Sequence, residues 1–172
     1  AAFDNFGISV ANAGDVNGDG YVDIIVGASH NAAGGTARGR AYIYFGGAIM
    51  DNTADVIISG TADGDGLGNS VASAGDVNGD GYADVIVGAS GYNSLTGRVY
   101  IYFGGAAMNN TADVTFTAAA ALDNFGNSVA SAGDVNGDGY ADVIVGAFGN
   151  DEGGIAAGKA YMYFGGAAMD NT

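Results

Sequence analysis

The sequence predicts an all-β protein: a β-propeller built from four-stranded antiparallel blades, three of them in this chain. Three observations lead there. The chain repeats itself, since an acidic Gly-rich loop begins at Asp15, Asp76 and Asp134, at intervals of 61 and 58 residues. A full unit reads as four short strands, the third with a strand period of two, and no stretch shows a helical period. Glycine is abundant at 33 and proline is absent, which with this patterning means many tight turns rather than disorder. About 60 residues and four strands per unit suit a propeller blade somewhat longer than the ~40–50 residues of the common types. The units are divided at 1–54, 55–112 and 113–172.

The first run of a unit is small-residued, Ser70-Val71-Ala72-Ser73-Ala74, as suits a strand crowded near an axis. The second follows the acidic loop and is apolar and β-branched, Ala83 to Ala89. The third alternates Tyr with apolar residues: Arg98 to Phe103, and Lys159 to Phe164 in the last unit. The fourth is Asp113 to Thr117, with Asp55 to Ser59 as its earlier copy. The last unit lacks this run and Ala1 to Phe6 does not supply it, so eleven strands are expected, with open edges at both ends. Residues 70–89 and 128–147 are identical, the mark of recent duplication or deliberate repetition.

The acidic loop carries the chemistry. Oxygen side chains stand at its first, third, fifth and ninth positions, and the seventh offers a backbone carbonyl. The sets are Asp15, Asn17, Asp19, Tyr21, Asp23; Asp76, Asn78, Asp80, Tyr82, Asp84; and Asp134, Asn136, Asp138, Tyr140, Asp142. Hard cations such as calcium take six to eight oxygens of these kinds. Gly79 and Gly81 allow the positive φ that so tight a loop needs. Three carboxylates at ~4 Å and an effective dielectric of ~20 repel by several kcal/mol per pair, and a divalent ion reverses that sign. The competing reading is an Asp/Asn/Gly turn without metal; an Asp eight residues after the first, three times over, favours calcium. The loop is not an EF-hand, because the twelfth position is Val26, Val87 or Val145 instead of a bidentate Glu, and a strand follows. Three Ca²⁺ sites are expected, one per repeat.

Bulk properties exclude several function classes. The formal charge is −15, with only Arg38, Arg40, Arg98 and Lys159 basic. Phosphate binding needs Lys and Arg, so neither nucleic acid nor an anionic membrane surface is an expected partner. No apolar run approaches 18 residues, so membrane insertion is not expected. Cysteine is absent, which removes disulfides and thiol chemistry. The start at Ala1 without a signal peptide suggests a mature or excised piece.

Phe125-Gly126, the loop Gly133 to Asp142 and Gly146-Ala147 arrive in an order and spacing that resembles the FG-GAP repeat of integrin α-subunit propellers and their bacterial relatives. The resemblance covers nearly all the chain. It implies a propeller whose calcium loops join the first and second strands of each blade. It also implies an extracellular or cell-surface location and a role in adhesion or protein recognition. The sequence departs from the pattern where Ser29, Ser90 and Phe148 replace the expected Pro, and where Leu67 replaces Phe.

Three blades are too few for a propeller, which typically has four to eight. Bare sheet edges recruit strands, so two chains are expected to join head to tail in a six-bladed ring; missing repeats of a larger propeller are the rival. Catalysis is not expected. His30 is the lone histidine, in a variable loop, and Asp151-Glu152 reads as a solvated pair. Asp63 and Asp65 read as surface turn residues; Phe3, Phe6, Phe125 and Phe164 read as core. The Tyr42/Tyr44, Tyr100/Tyr102 and Tyr161/Tyr163 stripe reads as packing between blades. Arg40, Arg98 and Lys159 could pair with acids, and Asn109-Asn110-Thr111 is a sequon. The function expected is a calcium-binding module for extracellular protein binding, adhesion or scaffolding. The alternatives are a lectin-like propeller, an accessory domain of a hydrolase, or a repeat-evolved or designed fragment without a selected ligand. Ligand contacts would fall in the variable loops 29–39, 90–97 and 148–158.

Overall fold

The computed structural model describes residues 3–167 and 169. These form eleven strands: β1 Phe6–Gly14, β2 Asp23–Ala28, β3 Arg40–Tyr44, β4 Val56–Ser59, β5 Val71–Gly75, β6 Asp84–Ala89, β7 Arg98–Tyr102, β8 Val114–Thr117, β9 Phe125–Gly133, β10 Asp142–Ala147 and β11 Lys159–Tyr163. They pair in chain order into antiparallel sheets β1–β4, β5–β8 and, with three described strands, β9–β11. β4 pairs with β3 and β8 with β7, so each outermost strand closes the sheet that precedes the 54/55 or 112/113 division. The sheets are three propeller blades that do not close on themselves.

The strands form where side chains alternate between two buried faces. In β6 all six residues are buried, because it is central in the middle sheet and covered on both sides. One core joins the first and second blades, with Val16, Ile25, Ile43 and Ile58 against Val71, Val85, Val87 and Tyr102. A second core of equivalent residues joins the second and third, with Val77, Ile86, Ile101 and Phe116 against Phe125, Val129, Val143 and Val145. Each such side chain fully buried contributes about 1.5–3 kcal/mol.

Backbone bonds lock the blades in the same register twice. Ala83 N–H donates to the Asp15 carbonyl (3.0 Å) and Ala141 N–H to that of Asp76 (2.9 Å). Val71 N–H donates to Ser9 Oγ and Val129 N–H to Ser70 Oγ, both at 3.1 Å. Tyr163 packs between blades as expected, stacking on Phe116 at 3.9 Å, whereas Tyr161 meets Phe125 of its own blade edge-on.

Some expectations fail. Phe125 is core, but Phe3, Phe6 and Phe164 are largely exposed, the last two because they lie on the two end sheets of the described residues, each covered by a neighbouring blade on one side alone. Asp65 is buried rather than on the surface, because it caps its own turn, accepting from Thr61 N–H and Oγ1 and from Ala62 N–H. Asp63 is a surface residue, paired with Arg38 at 2.8 Å. Arg40 and Arg98 donate to the hydroxyls of Ser59 and Thr117, while Lys159 pairs with Glu152. The stretch 90–97 contains one turn, Tyr92–Leu95, left-handed at Asn93 and Ser94.

Candidate metal centre

Each acidic loop joins the first and second strands of its sheet, so all fifteen donors named above lie at corresponding places in the three blades. The loops are nearly superimposable in their bonding. Asp15 accepts from the N–H groups of Gly18 (2.7 Å), Asp19 (3.1 Å) and Gly20 (2.8 Å). Asp76 and Asp134 do the same for their own loops. Asn17 Oδ1 accepts from Asp19 N–H, and Asp19 Oδ1 from Tyr21 N–H. Gly18 and Gly20 adopt positive φ, at 79° and 88°, which lets successive N–H groups turn inward on one carboxylate.

The ninth position has a different task. Asp23 is wholly buried; its Oδ2 accepts from Val16 N–H at 2.7 Å and its Oδ1 from Gly46 N–H at 2.6 Å. Asp84 holds Val77 and Gly104, and Asp142 holds Val135 and Gly165, in the same way. One carboxylate therefore ties the loop's entry to the exit of the third strand. This recurring Asp has a structural reason that spacing alone did not show. It also strengthens the metal-free reading of the ninth position.

Among the described residues no three His, Cys, Asp or Glu side chains stand together as a ready ligand set. The donors nevertheless fit a hard cation. A carboxylate offers about four acceptor sites, and the N–H bonds above occupy only some of them. Burial pushes the Asp84 carboxyl up to about 7, and the charges of Asp80 and Asp76 push the same way, against the bonds from Gly104 and Val77. Asp23 is raised too, by burial first, with Asp19 and Asp15 adding to it. A cation beside them would relieve this repulsion.

The remaining candidates take other roles. His30 Nδ1 lies 2.9 Å from Asn5 Nδ2 and 3.1 Å from Ser29 Oγ, in an exposed loop. Asp151 accepts from Ala156 N–H. Asn109 is exposed and accepts from Thr111 N–H. Sequence reasoning missed a second conserved-by-position acid: Asp4, Asp65 and Asp123, each two residues before Phe6, Leu67 or Phe125 and each buried. Asn31 donates to Asp4 (2.7 Å) and Asn150 to Asp123 (3.1 Å), anchoring the loops that follow β2 and β10. The signal was the fixed spacing of these acids from the Phe-Gly or Leu-Gly pair.

Antiparallel blades with an acidic, glycine-turned loop between their first two strands define an all-β repeat protein of the propeller class. The family model "FG-GAP repeat" matches residues 6–44, 67–102 and 125–161, and the chain belongs to that family. It is 35% identical over 157 residues to integrin alpha-5 of Xenopus laevis, covering 85% of this chain and 15% of the relative. It is 37% identical over 144 residues to human integrin alpha-6, covering 83% of this chain and 12% of the relative. It is also 31% identical over 172 residues to phosphatidylinositol-glycan-specific phospholipase D of Bos taurus, covering 91% of this chain and 20% of the relative. The chain thus spans no more than a fifth of the length of these relatives.

Proposed function

We propose that this is an extracellular recognition or scaffolding module whose three acidic loops each hold a calcium ion. The observation that carries the metal reading is the threefold recurrence of one donor set at the same place in each blade. In the first loop the Asp15, Asn17, Asp19 and Asp23 side chains and the Tyr21 carbonyl would hold the ion, with their counterparts in the other two. When bound, the ion supplies charge neutralisation and cross-links the two ends of the loop. Extracellular calcium modules bind at about 10⁻⁴–10⁻³ M. At ~100-fold excess over its dissociation constant each ion would add roughly 2.7 kcal/mol. Recognition is assigned to the loops 29–39, 90–97 and 148–158, which rigid sheets present. The integrin relatives support binding rather than catalysis. The phospholipase D relative favours one second reading, a non-catalytic module carried beside an enzyme domain.

Isothermal titration of chelator-stripped protein with calcium tests the metal. Three sites per chain are expected, and two for Asp80→Ala. Heat-free titration up to millimolar calcium, with no change in thermal midpoint, would overturn the assignment. Glycan arrays and binding to extracellular-matrix proteins then separate lectin from protein recognition.

A further inference from the structure

The middle blade departs from its neighbours at one loop, and the departure leaves an arginine without an acid. Between second and third strands the first blade runs from Ala28 to Arg40 and the third from Ala147 to Lys159. The middle blade runs only from Ala89 to Arg98, and Tyr92 stands where the other loops have Asn31 and Asn150. Those asparagines anchor their loops on Asp4 and Asp123. Asp65 is served by Thr61 and Ala62 instead. The Tyr92 ring lies against the Arg98 guanidinium, its centre 3.6 Å from Cζ.

The short loop closes through three consecutive left-handed residues, Asn93, Ser94 and Leu95, with φ of 45°, 58° and 65°. Residues other than glycine rarely take this conformation. It persists where the surroundings over-determine it, and it gathers at functional sites. Here bonds pin the loop on both sides. Gly91 N–H donates to the Asp65 carbonyl at 3.1 Å, and Asn124 N–H to the Leu95 carbonyl at 2.8 Å. The loop is wedged between segments leading into the second and third blades, and both are present.

Arg98 is held as firmly. It lies opposite Thr117 in the sheet, and its Nε–H donates to Thr117 Oγ1 at 2.8 Å. A guanidinium carries five N–H donors in a planar fork. With Nε committed, the four donors of the two Nη groups remain. Among the described residues Arg98 forms no ion pair, although the chain has 19 acids. Arg38 is held by Asp63 and Lys159 by Glu152. Arg40 has the same kind of hydroxyl bond, to Ser59, but Asn31 rather than an aromatic residue at the place of Tyr92.

We propose that Arg98 is a receptor for one carboxylate of an acidic peptide segment, taken end-on by its two Nη groups while Tyr92 and Thr117 hold the plane. This deepens the recognition reading and rests on it, since 90–97 is one of the recognition loops. A planar fork matches a carboxylate in two parallel bonds, and a group fixed beforehand loses little freedom on binding. One cation suits one charge, whereas polyphosphates need several basic groups. Leu95, 42% exposed, suits a partner with an apolar residue beside its acid. Asp76, Asp80 and Asp84 belong to the loop at the other end of β6, about 16 Å of strand away. That exceeds the ~8 Å screening length at physiological salt.

The probe is acetyl-Leu-Asp-amide, with acetyl-Leu-Asn-amide as its neutral twin. Each is titrated at physiological salt into the whole chain while the arginine Nε–H signals and the backbone amides of 90–97 are followed by NMR. The Arg98 signal should move saturably at millimolar acid and stay still with the amide, and those of Arg38 and Arg40 should stay still with both. Tyr92→Asn should weaken binding about two- to fivefold, the worth of an exposed cation–π contact. Arg98→Gln should abolish the shifts of 90–97 with an unchanged circular dichroism spectrum. Equal shifts at Arg40 and Arg98, an equal response to the neutral twin, or full affinity in folded Arg98→Gln overturns the assignment. If a variant unfolds, the site-by-site shifts of the parent decide. A silent Arg98 overturns this assignment alone; the recognition reading falls instead on blank glycan arrays and matrix-protein assays.

Discussion

Asp84 and Asp80 lie in the same loop but answer to different forces. Asp84 satisfies two backbone N–H groups, of Val77 and Gly104, from a fully buried position. Asp80 is exposed and bonds only within its loop, to Tyr82 N–H and the Asn78 amide. Asp84→Ala orphans both N–H groups, at about 1–3 kcal/mol for each left buried. It should therefore cost several kcal/mol in urea melts even in chelator, and more in calcium, where a proposed ligand is lost as well. Asp80→Ala should cost stability only in calcium. Equal losses for Asp80→Ala in both buffers would remove the metal role from that residue. The alternation of oxygen donors was legible in the sequence because it is a property of one short segment. Asp65 was not legible, because its burial depends on the turn from Thr61 wrapping back over it. Phe6 was misread for the converse reason: the position that is core in the second and third blades has no preceding blade against it among the described residues.

At the scale of the element, the strands were legible from period two and from repetition, and β1 and β9 reach further than their small residues suggested. They extend back through the Phe-Gly pair because that segment still pairs with the second strand, Phe6 with Ala28 and Phe125 with Ala147, across a register shift. What repetition hides is that equal residues have unequal duties. Gly88 and Gly146 occupy corresponding sites in identical blocks, yet only Gly88 has the next blade's backbone against it. A backbone carbonyl cannot give way as a side chain can, and overpacking typically costs ~1–3 kcal/mol. Gly88→Ala should destabilise by at least that amount in chemical denaturation. Gly146→Ala should leave the stability of the single chain within about 0.5 kcal/mol. Equal destabilisation by the two substitutions would mean that the Gly88 contact is not the reason for glycine there.

At the scale of the whole molecule, charge is the dominant long-range force. The formal charge of −15 is borne by 19 acids against 4 bases, and nine of the acids lie in the three loops. Three divalent ions would bring −15 to −9 and would act where the charge is densest. Self-repulsion on this scale opposes the compact state and, more strongly, the meeting of two such chains. Salt does part of the same work without occupying a site, since the screening length falls from about 10 Å at 0.1 M to about 3 Å at 1 M. In chelator, the thermal midpoint should therefore climb steadily with sodium chloride. In saturating calcium the same series should be nearly flat, because the closest carboxylates are already neutralised and the remaining charges lie further apart. The two slopes, read by calorimetry at one protein concentration, separate local neutralisation from general screening. Parallel slopes would show that calcium acts on this chain only as ionic strength, and the loops would then be turns held by their own N–H groups.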